Sequence, residues 1–124
     1  MSQNGPTLGV TLFSFTNEWQ QRLYTLETML GKVAEMGLGP GVEVVGYQSF
    51  RTYPDVPDAE AERFRNLLAK YKLTPTCLGA NIDLGRRRDR LMTAAEIYDS
   101  VRRQLISAKK LGFPIMRVPP AAGE

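Results

Sequence analysis

The densest charge run is Arg86-Arg87-Arg88-Asp89-Arg90, whose planar, bidentate guanidinium groups could clamp a phosphate or a carboxylate. Solvated pairing with nearby acids is the plainer use of the same residues. Just before it, Asn81 and Asp83 offer an amide and an acid suited to sugar hydroxyls, and the same residue types also serve irregular turns. Asp83 alone, without companion carboxylates, makes a feeble metal site. Glu43 and Arg117 could hydrogen-bond a substrate hydroxyl or carboxylate, or could pair with each other and brace two strands. Phe13, Phe15, Tyr47, Phe50 and Tyr53 could line a pocket for a sugar or an aromatic ring. Of these, Phe13 reads as packing, whereas Phe15 and Tyr47, with Gln48, lie nearer strand ends and suit a pocket better. Cys77, with no basic neighbour in sequence, reads as a small hydrophobe and not a nucleophile.

What is missing narrows the chemistry. The 124 residues contain no histidine, which excludes Ser-His-Asp and Cys-His pairs, histidine zinc sites and a histidine base. Chemistry done by this chain alone falls to carboxylates, Arg, Lys, Tyr or Asn. Sixteen Lys and Arg against 13 Asp and Glu leave a charge of +3, too small an excess to imply a nucleic-acid partner. Apolar residues at 43% and charged residues at 23% suit a soluble globular domain, and the length suits one domain over residues 1–124. The single cysteine cannot staple the chain internally, which fits a reducing cytoplasm. No apolar run approaches the roughly 18 residues of a membrane helix, and the first residues lack a signal-peptide layout.

These residues need elements to hold them. Alternating strand and helix patterns predict strands near 8–15, 42–47, 76–82 and 113–118, with helices near 18–36, 58–71 and 94–111. Trp19, Leu23, Leu26, Leu30 and Val33 form one stripe on the first helix, with Asn17 as a candidate cap. Gln48 to Pro57 reads as a polar loop. Asp58 is a candidate cap for the second helix, on which Ala61, Phe64, Leu68 and Tyr71 face one way. Thr93 and Glu96 have capping-box spacing, and Ile97, Val101, Leu105, Ala108 and Leu111 form the expected buried stripe before Gly112.

The order βαβαβαβ requires parallel strands joined by right-handed crossovers. An open doubly wound sheet or part of a βα barrel would satisfy it. The turn after the first strand has no glycine, and Gly37-Leu38-Gly39-Pro40-Gly41 follows a helix, so no dinucleotide fingerprint is present. Strand parity places Thr11, Glu43, Cys77, Gly79, Asn81 and Arg117 on one side and Val10 and Leu12 on the other. A polar set on one side favours the barrel.

The phrases GVTLFSF, Gly41-Val42-Glu43-Val44-Val45-Gly46, LGANIDLGRRRDRLM and AKKLGFPIMRV resemble the xylose-isomerase-like barrels, the sugar phosphate isomerase/epimerase superfamily. More narrowly, the chain is similar to the catalytic subunit of bacterial C-glycoside deglycosidases. The resemblance implies the N-terminal half of a (β/α)8 TIM barrel, since a complete barrel needs roughly 250 residues. It also implies a metal-dependent enzyme acting on a sugar or sugar derivative by proton abstraction beside a carbonyl, either as an isomerase/epimerase or as a lyase cleaving a C-glycoside.

In the superfamily the ligands of a divalent metal, Mn2+ or Mg2+, come from later strands and include a histidine. No metal ligand and no catalytic residue carry over to this chain, and a cation is expected only in the completed barrel. Phe15, Tyr47, Gln48, Asn81 and Arg86 are the expected substrate-binding residues. The expected partners are a sugar-type substrate and the remainder of the barrel or a partner subunit, in a cytoplasmic protein. The segment alone is expected to be inactive. The alternative is a non-catalytic binding subunit that completes its sheet with a partner chain.

Overall fold

Alternating valines define the strand at the centre of the sheet. In β2 (Gly41–Val45), Val42 and Val44 are fully buried, while Glu43 between them points to the opposite face and is half-buried. The computed structural model describes residues 6–82 and 90–118. Within them β1 (Gly9–Thr11), β2, β3 (Thr74–Gly79) and β4 (Met116–Arg117) form a four-stranded sheet in the order β1-β2-β3-β4, every neighbouring pair parallel. The fold is therefore α/β, with helices between successive parallel strands. Thr11 sits beside Glu43, Glu43 beside Cys77, and Gly79 beside Arg117. The polar residues expected from strand parity thus share one face, with Thr11, Glu43 and Cys77 on one rung and Gly79 and Arg117 on the next.

The other face carries the core. Leu12, Met29, Leu30, Val33, Val42, Val44, Leu78 and Leu111 are fully buried. Phe64 links the second helix layer to the ends of the sheet through Phe50, 5.2 Å away edge-on, and Phe113, stacked at 5.7 Å.

The first strand and helix differ from expectation. After Thr11 the chain tightens into a 3-10 turn, Leu12–Phe15, whose first turn is capped by the Thr11 hydroxyl accepting from the Phe13 N–H. Strand 8–15 is therefore shortened, and Phe13, expected in packing, is 61% exposed. The continuous helix 18–36 is two helices, α1 (Thr16–Gln20) and α2 (Leu26–Glu35). Arg22 adopts a left-handed φ of 58° between them. The Thr25 hydroxyl accepts from the Thr28 N–H and restarts the helix. Asn17 lies inside α1 and caps nothing, and Leu23 is 65% exposed.

The segment expected as a polar loop contributes to the core. It opens with α3 (Gly46–Ser49) and then buries Phe50, Tyr53 and Val56. In α4 (Asp58–Lys70) the face of Ala61, Phe64 and Leu68 is buried as expected, but Asp58 is the first helical residue and Pro57 holds the cap position. Strands three and four are shorter than their expected spans and begin at Thr74 and Met116.

The capping box of α5 (Ala94–Leu111) is formed: the Thr93 hydroxyl accepts from the Glu96 N–H, and the Glu96 carboxylate accepts from the Thr93 N–H. Its buried face is Gln104, Ser107, Ala108 and Leu111, so the expected stripe is corrected at Leu105, which is 50% exposed.

Arg90 also donates to the Glu96 carboxylate, and this bond, with that from the Thr93 backbone, holds the Glu96 carboxyl down to about 2. A lowered folded-state value contributes stability above the ordinary carboxylate range and loses it as pH falls through the folded value. Amide exchange in the first turn of α5 should therefore accelerate as pH drops from about 4.5 toward about 2, after correction for intrinsic exchange. The Glu96→Gln variant should lack that acceleration; an identical profile in both proteins would contradict the capping assignment.

Candidate functional site

The polar row on the open face is tied together through one carboxylate oxygen. Glu43 Oε1 accepts from the Thr11 hydroxyl at 3.2 Å and from Arg117 Nη2 at 3.1 Å. Arg117 reaches Glu43 across β3, and a Cβ added at Gly79 would lie 2.9 Å from Arg117 Nη2. The glycine leaves the gap through which the guanidinium passes. Of the two uses open to Glu43 and Arg117, the structure shows the brace between β2 and β4, with side chains 27% and 54% exposed. At that exposure the pair contributes about 0–1 kcal/mol, so its main effect is to set the position of the guanidinium.

Above this row lie the turns that follow the C-terminal strand ends, where α/β sheets present ligand-binding groups. Phe15 is half-buried and its ring lies 5.9 Å from that of Tyr24. Gln48, in α3, donates from Nε2 to the Leu12 carbonyl at 3.1 Å and accepts at Oε1 from the Thr16 hydroxyl at 3.3 Å. The structure thus brings Phe15 and Gln48 into one assembly, in which the amide joins the turn after β1 to the turn after β2.

Tyr47 turns another way. It meets Tyr53 edge-on at 4.7 Å and borders a cavity of about 610 Å³ shared with Met92, Glu96, Asp99, Ser100 and Arg103. Arg103 pairs there with Asp55 and, at 3.6 Å, with Asp99. The guanidinium hydrogen bond holds the Asp55 carboxyl below its usual range.

Asn81 follows β3 with its side chain exposed and its backbone fixed. Its N–H donates to Gln104 Oε1 at 3.1 Å, and its carbonyl accepts from Gln104 Nε2 at 2.9 Å. Gln104 Oε1 also accepts from the Tyr53 hydroxyl at 2.5 Å. Burial pushes the Tyr53 phenol well above its ordinary range, so it stays a donor at any physiological pH. One turn on, Ser107 Oγ accepts from the Val56 N–H at 3.1 Å and donates to the Pro54 carbonyl. Gln104 and Ser107 are the positioning residues that hydrophobic periodicity does not reveal, because both are polar residues on a buried face.

Arg86 and Asp83 lie outside the described residues. Among the described residues no three His, Cys, Asp or Glu side chains gather in a way that could hold a metal ion, and no helix is long and apolar enough to cross a membrane.

No protein-family model matches the chain. It is 50% identical over 110 residues to a C-glycoside deglycosidase alpha subunit of Arthrobacter globiformis, an alignment covering 89% of this chain and 31% of that subunit. It is 45% identical over 113 residues to the subunit of the same name from Microbacterium trichothecenolyticum, with 91% and 31% covered. A 3'-dehydrocarminate deglycosidase alpha subunit from a Microbacterium species is 43% identical over 113 residues, with 91% and 32% covered. The chain spans about a third of the length of the curated relatives it matches, and over nearly all of its own length it is similar to alpha subunits of C-glycoside deglycosidases.

Proposed function

We propose that this chain is the N-terminal wall of a (β/α)8 barrel belonging to a C-glycoside deglycosidase of the alpha-subunit type. The observation that carries the reading is identity of 43–50% over 89–91% of the chain to subunits so named. The parallel order β1-β2-β3-β4 supports it, because such a sheet, extended from β4 and closed onto β1, is a barrel. The polar row of Thr11, Glu43 and Arg117 would then face the barrel axis, and the turns bearing Phe15, Gln48 and Asn81 would form one side of its mouth.

The substrate in this reading is an aryl C-glycoside whose sugar carries a ketone. A base removes the proton from the carbon beside the ketone. The resulting enolate forms a carbon–carbon double bond in the sugar by releasing the aryl carbon, which takes up a proton. This chain's residues bind and orient: Phe15 supplies an apolar face, Asn81 an amide for sugar hydroxyls, and Gln48 and Gln104 hold the turns that carry them. Arg86, which follows β3 in the sequence, is assigned to substrate binding by analogy with its charge-dense neighbours Arg87, Arg88 and Arg90.

In this reading a divalent cation such as Mn2+ or Mg2+, and the base itself, are held by polypeptide beyond this chain. The "alpha subunit" in the relatives' names supports a second subunit as partner.

The test is release of the free aryl compound from a ketone-bearing aryl C-glycoside, followed by chromatography. The intact polypeptide with its partner subunit should cleave it, and the 124 residues alone should not. Isomerisation of a sugar phosphate without aryl release by the intact protein, or cleavage by the 124 residues alone, would contradict the assignment.

A further inference from the structure

A groove of about 1090 Å³ runs between the α1–α2 break and α4, on the helix-bearing side of the sheet and away from the Glu43–Arg117 row. Its margin carries Arg22, Arg51 and Arg63, all exposed, and none of them has an ion pair among the described residues. Three cations on one concavity outnumber its two acids, Glu27 and Glu60, and none of the three pairs with either; an anion seated among them relieves their mutual repulsion. Arg22 is held there by a left-handed backbone, a conformation that favours glycine, so an arginine at this position is not the local optimum.

The walls supply a second chemistry. Trp19 and Tyr24 line the same groove and are only half-buried, leaving part of each ring to a ligand. Ser49 also lines it, is 7% exposed, and its Oγ has no hydrogen-bond partner among the described residues. A buried hydroxyl without a partner is uncommon, and an acceptor on a bound ligand would satisfy it.

The groove's two acids are already engaged. Glu27 accepts from Lys70 at 2.9 Å and from Tyr71 at 3.2 Å, and Glu60 accepts from Thr52 at 2.6 Å. Neither forms an ion pair with an arginine of the groove, although Glu60 keeps its full charge beside the neutral Thr52 hydroxyl, and both would oppose a long polyanion laid along the groove. The occupant is therefore compact.

We propose that this groove is a binding site for a small aromatic carboxylate, its ring against Trp19 and Tyr24 and its carboxylate held by Arg51 and Arg63 with Arg22 beside them. Planar guanidinium groups match a carboxylate and also stack on rings, so both halves of such a ligand are recognised by residues already in place. The site is independent of the deglycosidase reading, and its test measures binding, not turnover.

Trp19 is the single tryptophan of these 124 residues, and the difference between the parent and Trp19→Phe isolates its signal from any other tryptophan of the intact protein. Phenylacetate titrated into the intact protein should change its fluorescence saturably, with a dissociation constant below about 1 mM. The Trp19→Phe variant should lose that signal. Arg51→Gln and Arg63→Gln should each weaken binding about tenfold while leaving the circular dichroism unchanged. Benzyl alcohol, which has the ring without the charge, and inorganic phosphate, which has the charge without the ring, should each bind at least about tenfold more weakly. Absence of saturation, equal binding of benzyl alcohol or of phosphate, or arginine variants that bind as tightly as the parent would overturn the proposal.

Discussion

Replacing Gln104 by leucine should destabilise the protein by about 3 kcal/mol, although leucine is close in size and apolar. The cost comes from what is stranded. Gln104 is fully buried, and its amide meets the Tyr53 hydroxyl, both backbone groups of Asn81 and, at 3.2 Å, Ser100 Oγ. Leucine leaves the buried Tyr53 hydroxyl without its acceptor and frees the chain at Asn81, where β3 delivers a proposed substrate-binding side chain. Each buried donor or acceptor left unmade costs about 1–3 kcal/mol, whereas removing both partners of a bond is nearly neutral.

The double variant Gln104→Leu/Tyr53→Phe should therefore be more stable than Gln104→Leu alone. Urea unfolding of the intact protein measures both. A cost below about 1 kcal/mol for the single variant, or no recovery in the double, would show that the amide does not organise this corner.

Phe64→Ala should cost about 3–5 kcal/mol, the range for deleting a fully enclosed phenylalanine. Phe64 is 1% exposed and contacts the rings of Phe50 and Phe113, so it joins α4, the turn after α3 and the segment entering β4. The cavity cannot close by movement of one neighbour, because each belongs to a different part of the chain. Phe64→Leu, which keeps most of the volume, should cost about 1.5 kcal/mol or less. Equal midpoints for the alanine and leucine variants in urea would contradict this view of the core.

The features legible in the sequence were those with a strict local code. Period-two alternation marked Val42 and Val44 as one face of a strand and Glu43 as the other, and the structure separates them that way. Thr93 and Glu96 marked the start of α5 because the reciprocal bonds require that spacing. Parity also paired Glu43 with Arg117, although the residues are 74 positions apart.

Helical spacing failed at the first helix. Trp19, Leu23, Leu26 and Leu30 keep an unbroken 3.6-residue rhythm across a stretch where Arg22 turns left-handed and Thr25 caps a new start. The rhythm records which residues are apolar and not whether the backbone bonds persist between them. Periodicity likewise sorted Leu105 inside and passed over Gln104 and Ser107, whereas the structure exposes the first and buries the other two. Buried polar groups are specified by distant partners, here Tyr53, Pro54, Val56 and Asn81, which no local window contains. For the same reason Phe50, Tyr53 and Val56 were hidden inside a segment whose prolines and polar residues read as loop.

The proposed barrel is tested most directly by a crystal structure of the intact polypeptide. Met116–Arg117 should gain a parallel neighbour on its free side, Gly9–Thr11 should gain another, and Glu43 with Arg117 should lie inside a ring of eight strands. An antiparallel strand on either margin, or a second layer of helices over the Glu43 face of an open sheet, would refute the barrel and the enzyme assignment built on it.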